Sequence, residues 1–219
     1  MLIRYSAMAT DERKLFFGAL RDVLGPELRR DGFRGSGANY RRFRAPVIHV
    51  INIQGSRYGG ECCVNFGIHL SLLPTIVGQA ANPGKLTEPE CEFRWRLAPD
   101  GQRDQWWAYG SDEASAKASA AHLVELYRDR GRPLLNGWLE FPGRFAEVTV
   151  KDLEDGRPEA LPGFPTTVRA ALAFARINAH LNQPDRAREF ARFGLNHLGL
   201  ATALQPEFER PLRGDTDAR

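Results

Sequence analysis

The sequence predicts an α+β fold: an antiparallel sheet of about five strands with packed helices, followed by a C-terminal α-helical hairpin. Three observations carry this. Val64, Phe66, Ile68 and Leu70 alternate with other residues at the two-residue period of a strand with one face in the core. Leu15, Phe16, Ala19, Leu20, Val23 and Leu24 recur at steps of three and four, the period of an amphipathic helix. The segment "TTVRAALAFARINAHLNQPDRAREFARFGLNHLG" reads as two alanine-rich amphipathic helices joined at "LNQPD". The predicted organisation is a sheet domain over residues 1–150. Residues 151–219 form a linker and a helical hairpin that docks on it.

Taken in order, "TDERKLFFGALRDVL" is a helix with Thr10 as its N-cap and Asp11 and Glu12 at the positive end of its dipole. Gly25-Pro26 is expected to break or kink it, since proline has no N–H and crowds the preceding turn. Gly32 then marks a stop. "ANYRRFRAP", "VIHVINIQ" and "CCVNFGIHLSLL" read as three strands, the last two joined by the turn-rich "GSRYGG". Residues 74–90 read as a loop, and "CEFRWRLA" and "DQWWAY" as two short strands. "SDEASAKASAAHLVELYRDRG" is a second helix, capped by Ser111 and ended by Gly131, and "PLLNGWLEF" is a short helix. Residues 151–165, rich in charge, proline and glycine, read as a linker. In the C-terminal hairpin, Pro184 sits where a first-turn proline belongs. After Gly199 the tail turns polar and is expected to fray.

Composition narrows the class. The chain of 219 residues is 42% hydrophobic and 26% charged, enough apolar material for a core. No apolar run reaches the roughly 18 residues that span a bilayer, and the N-terminus lacks the pattern of a secretory signal. Cys62, Cys63 and Cys91 show neither zinc-knuckle nor redox spacing, which points to reduced thiols in a cytoplasmic protein with no metal and no cofactor. Residues 1–60 hold eleven Lys/Arg against five Asp/Glu, while the overall net charge is only +3. "GSRYGG" lies between two strands with no Lys-Ser or Lys-Thr after it, so a phosphate-cradling loop is excluded on context.

Several constellations remain. The run "RRDGFRGSGANYRRFR", with Arg34, Tyr40, Arg41, Arg42 and Arg44, has the arginines and aromatics that contact phosphates and stack on bases. As a strand, it also reads as one solvated face. A cysteine–histidine nucleophile pair would need a thiol of lowered pKa, which strand cysteines in apolar runs rarely have. In "ECEFRWRLAPDGQRDQWWAYG", Arg94 and Arg96 share one strand face, and Cys91, Phe93, Trp95 and Leu97 the other. Trp106 and Trp107 point to opposite faces. Arginine and tryptophan are the residues that dominate protein-binding hot spots.

The hairpin at 47–70 poses a question of register. Asn52 and Gln54 share one face of their strand, and Asn65 and His69 share one face of theirs. If Asn52 stands opposite Cys63, all four form one polar strip. If it stands opposite Val64, the strip is split and the apolar faces coincide. Asparagine is disfavoured in strands, so these two either brace the fold or hold something.

Residues 25–43, the strand pair at 47–70, "ECEFRWRLA" and the paired tryptophans resemble, in that order, the bacterial family called domain of unknown function 4304, over roughly residues 12–130. Asn52, Gln54, Asn65, Gly67, Cys91, Arg96, Trp106 and Trp107 are the matched positions, and Glu92 stands where relatives often carry histidine. The resemblance implies an α+β fold and no activity. By analogy with small bacterial domains of this kind, it implies a binding role such as neutralising a toxin.

The function expected is therefore a non-enzymatic cytosolic module that binds a protein, with an immunity-type role as one form. Its contact residues are drawn from Asn52, Gln54, Arg57, Asn65, His69, Arg94, Arg96, Trp106 and Trp107. RNA or single-stranded DNA binding through residues 29–44 is the alternative, and an enzyme with a polar site on the sheet is a second.

Overall fold

The computed structural model describes residues 2–157, 160–163 and 165–213, with side chains from residue 11 onward. Parts of the expected linker (residues 158, 159 and 164) and of the expected fraying tail (214–219) lie outside the described residues. The fold class is the one expected, an α+β architecture in which a six-stranded antiparallel sheet packs against helices. Helix α1 (Leu2–Arg30) is followed by strands β1 (Arg34–Ser36), β2 (Asn39–Arg44), β3 (Val47–Gly55), β4 (Glu61–Leu70), β5 (Phe93–Arg96) and β6 (Trp107–Ala108). Helix α2 (Glu113–Leu126) runs through a π-helical turn, Tyr127–Gly131, into α3 (Arg132–Gly137). Helices α4 (Val150–Glu154), α5 (Thr167–His180), α6 (Pro184–Asn196) and α7 (Gln205–Arg213) complete the chain. The sheet order is β1-β2-β3-β4-β5, with β6 pairing with β4 beyond the end of β5.

Several local expectations are corrected. Helix α1 begins upstream of Thr10, so that residue is not its cap, and it passes through Pro26 without ending. Leu24 and Leu28, buried on either side of Pro26, hold the helix to the core while Pro26 itself is exposed. Asp112, not Ser111, caps α2, accepting from Ser115 N at 2.8 Å. Gly131 does not terminate that helix. It packs closely on the sheet, where a Cβ would lie 2.8 Å from the Phe66 ring. Part of the expected linker is helix α4, capped by Thr149 and anchored by buried Val150 and Leu153. Part of the polar tail folds back as α7, with Phe208 buried against Gly194.

The two faces of the sheet differ. The inner face carries Tyr40, Val47, Ile51, Ile53, Val64, Phe66, Ile68, Phe93 and Trp107, all in the main core with the helices. The α5–α6 hairpin joins this core: the Phe93 and Phe174 rings lie 5.7 Å apart, and Arg169 clasps Glu92 at 3.0 and 2.5 Å. A polar knot also sits on the inner face. Arg42 donates to His49 Nδ1 at 3.1 Å, to Asp31 O at 2.9 Å and to Asn136 Oδ1 at 3.0 Å. His49 Nε2 in turn pairs with Trp138 O at 3.2 Å. Next to it, Glu27 accepts from Arg30, Arg128 and Arg132, which holds its carboxyl down at about 2.

The outer face is divided. The connection from β4 to β5 folds over half of it, and Leu86 and Cys91 pack on Ile48 and Val50 as a second small core. Cys91 therefore does not share the Phe93 face, because it caps the 3₁₀ turn Glu88–Glu90 before the strand begins. Arg41 ties this cover down through Leu86 O at 2.6 Å, and Arg94 does so through both oxygens of Glu88 at 2.6 and 3.3 Å. The approach is close enough that a Cβ at residue 67 would lie 2.5 Å from Cys91 Sγ.

Two outcomes follow. Gly67→Ala overpacks this contact and should cost about 1–3 kcal/mol in urea unfolding; an unchanged midpoint would contradict the packing. His49 is pushed down to about 3, first by burial and then by the neighbouring Arg42 charge. The unfolded chain then binds a proton below about pH 6.5 that the folded chain refuses, so stability falls as pH drops through that window. The Glu27 contribution, by contrast, is complete above about 4.5 and is lost only below it. His49→Gln should flatten the slope of unfolding free energy between pH 6.5 and 4.5; an unaltered slope would assign it elsewhere.

Candidate functional site

The uncovered half of the outer face carries a row of polar side chains across four strands. The register brings them together. Asn39 pairs with Asn52, Asn52 with Asn65, and Asn65 with Arg96. Residues directly opposite each other on antiparallel strands share a face, so the row stands on one side of the sheet. Asn52 faces neither Cys63 nor Val64, the two positions considered from sequence. Its partner Asn65 has the parity of Cys63, so the united strip is the outcome. The apolar faces coincide as well, because Ile51 and Ile53 meet Phe66 and Val64 on the inner side.

The row is continuously bonded. Asn52 Nδ2 donates to Asn39 Oδ1 at 2.9 Å. Asn65 Nδ2 donates to Gln54 Oε1 at 2.8 Å and to Asn52 Oδ1 at 3.4 Å. Arg96 Nε donates to Asn65 Oδ1 at 3.0 Å. Beyond Arg96 stands Asp104, whose Oδ2 accepts from Arg96 Nη1 at 2.6 Å and from Trp106 Nε1 at 3.1 Å. The Arg96 guanidinium also lies 5.5 Å from the Trp106 ring centroid. Asn65 is only 6% exposed. Its full set of partners accounts for an asparagine in mid-strand, since each amide satisfies its neighbour.

The remaining sequence candidates are placed elsewhere or differently. His69 leaves the strip: it is buried under the β4–β5 cover, pairs with Leu73 O at 3.1 Å, and accepts from Glu92 N at 3.2 Å. Burial lowers its pKa. Trp107 points inward and donates to His122 at 3.1 Å. Arg94 belongs to the cover through Glu88. Arg57 stands at the hairpin tip, stacked 4.6 Å from the ring centroid of Tyr58, a residue that is 82% exposed. Sequence reasoning missed Asn39 and Asp104. Asn39 was visible only as the first polar residue of its strand, and Asp104 only as an acid two residues before Trp106.

The basic run is dispersed. Tyr40 and Arg42 are buried on the inner face, Arg41 is held by the cover, and Arg44 pairs with Glu140 at 3.0 Å. Arg34 is exposed on β1. The three cysteines are free and buried. Desolvation raises all three thiols, that of Cys62 to about 12. Among the described residues no group of His, Cys, Asp and Glu has the arrangement of a metal site, and no helix is long and apolar enough to cross a membrane.

This geometry defines an α+β domain that presents a bonded polar row, ending in an Arg–Asp–Trp corner, on an open sheet half. Residues 24–137 match the family described as Domain of unknown function (DUF4304), and the chain belongs to that family. Residues 138–219, including the helical hairpin, lie outside the match. Searches of curated proteins and of solved structures found no match.

Asn65→Ala removes the shared partner of Gln54, Asn52 and Arg96. It should cost about 1–3 kcal/mol by urea unfolding, and a loss within experimental error would show that the row is not structural. The thiols supply a second check. In the folded chain iodoacetamide at pH 8 should label all three far more slowly than in urea, and rapid labelling of any one would contradict its burial.

Proposed function

We propose that the chain is a non-enzymatic binding protein whose partner is another protein, docking on the open half of the outer sheet face. The carrying observation is the Arg96–Trp106 corner, held from beneath by Asn65 and left at the surface beside the covered half. An arginine pre-positioned by a buried asparagine, with a tryptophan ring beside its guanidinium, loses little side-chain freedom on docking, which is the pattern of an interface hot spot. The three thiols are raised by burial, and His49 and His69 are bonded and lowered by it, which speaks against nucleophilic or acid–base chemistry at these five side chains. Three free cysteines suit a reducing compartment such as the cytosol. The nucleic-acid reading has less support, because Tyr40 and Arg42 are committed to the interior.

An immunity-type role is the narrower form of this reading, with a toxin as the partner. The test uses the full chain as bait in lysate of its native host. Wild type should retain a stoichiometric protein, and Arg96→Ala and Trp106→Ala should lose it while melting as wild type does. Retention by both variants, or no stoichiometric partner, would sink the assignment.

A further inference from the structure

The Arg96–Trp106 corner already holds a carboxylate, and that carboxylate is the chain's own. Both donors converge on Asp104 Oδ2. Comparison with Arg94 shows how unlike a structural ion pair this is. Glu88 is buried and gives both oxygens to Arg94, locking the cover in place. The Asp104 side chain is 41% exposed, follows the surface turn around Gly101, and engages through one oxygen, while Oδ1 has no hydrogen-bond partner among the described residues. An exposed pair of that kind contributes little to stability.

The Arg96 side of the seat, in contrast, has a support besides Asp104. Arg96 is oriented from below by Asn65, and Asn65 is fixed by Gln54 and Asn52. Without Asp104 the guanidinium would still point outward, with its charge uncompensated. Arg34 on β1 is exposed on the same face, while the Arg94 charge is already met by Glu88. A guanidinium directed outward in this way complements an acidic group on a partner and rejects a basic one.

Resting on the reading of this face as a protein-docking surface, we propose that the partner presents an aspartate or glutamate side chain to Arg96 and Trp106. Asp104 occupies that seat in the free protein and is displaced on docking. The exchange replaces one carboxylate by another, so Arg96 stays paired in both states and no unpaired charge is buried at the interface. The free protein is also protected: with Asp104 seated, the corner presents no uncompensated cation to other acidic surfaces.

A random dodecapeptide library displayed on phage tests this, selected on the full-length wild-type chain and separately on Asp104→Ala. Enriched peptides should converge on Asp or Glu. Synthetic copies should bind Arg96→Ala at least about tenfold more weakly than wild type. They should bind Asp104→Ala about threefold or more tightly, because the internal competitor is gone. Should Arg96→Ala unfold, Arg96→Lys removes the fork and Trp106→Phe removes the N–H while both keep most of the packing, and each should weaken binding. The proposal is overturned by enriched peptides with no required acid, by equal binding to the Arg96 variants, by unchanged or weaker binding to Asp104→Ala, or by no enrichment on either chain. If the host partner depends on Arg96 but the peptides need no acid, the carboxylate seat fails and the docking surface survives. A host partner indifferent to Arg96 and Trp106 removes the surface itself.

Discussion

Asn52 stands opposite Asn65, and both faces of the sheet follow from that pairing. With this register, Val47, Ile51 and Ile53 meet Val64, Phe66 and Leu70 on the inner face, where the helices cover them. The same register sends Asn52, Gln54 and Asn65 outward together. A shift of one residue would turn one strand's apolar set toward water, at the cost of several buried side chains. The polar row is thus the other side of the hydrophobic core. The amides are tolerated in mid-strand because each finds its partner in the next strand, and the last of them positions Arg96.

The outer face is half sealed, and the seal shows why the open half is distinctive. Over Ile48 and Val50 the β4–β5 connection lies so close that residue 67 has no room for a side chain. Arg41 and Arg94 spend their guanidinium groups holding it there. Arg96, two residues further along β5, has no buried acid to meet and turns instead to an exposed aspartate and a tryptophan. Two arginines on one strand face thus take different parts, one fastening a loop and the other shaping a surface. The inner face has its own version of this economy. Arg42, adjacent in sequence to Arg41, is drawn inward to tie β2 to His49 on β3, to Asp31 just past the end of α1 and to Asn136 on α3.

Most element types were legible from periodicity and turn chemistry, and so were the opposed directions of Trp106 and Trp107. The matched positions of the family resemblance fall largely on the row and its cover: Asn52, Gln54, Asn65 and Arg96 in the row, Gly67 and Cys91 at the seal. What was not legible involves residues distant in sequence. His69 carries the strip's parity but is roofed by a segment whose path no local pattern reveals. Pro26 interrupts the local hydrogen bonding of α1, yet buried leucines on both sides carry the helix through. Helix α7 reads as a polar tail until Phe208 is seen to fill the space left by Gly194.

By itself the sequence determined the class of fold, every strand but the short edge strand β1, most helices, and the face each residue of those strands takes within its own strand. Those are consequences of local periodicity, which depends on chain geometry alone. Only the tertiary structure decided which faces meet, which half of the outer face is covered, and which arginines are spent on structure. Register, cover and ion pairing depend on neighbours brought close by folding, and a side chain's chemistry is set by those neighbours more than by its identity. Asn65 illustrates the division. Its place on a strand is local information, while its role as the support of Arg96 exists only because β3, β4 and β5 lie side by side.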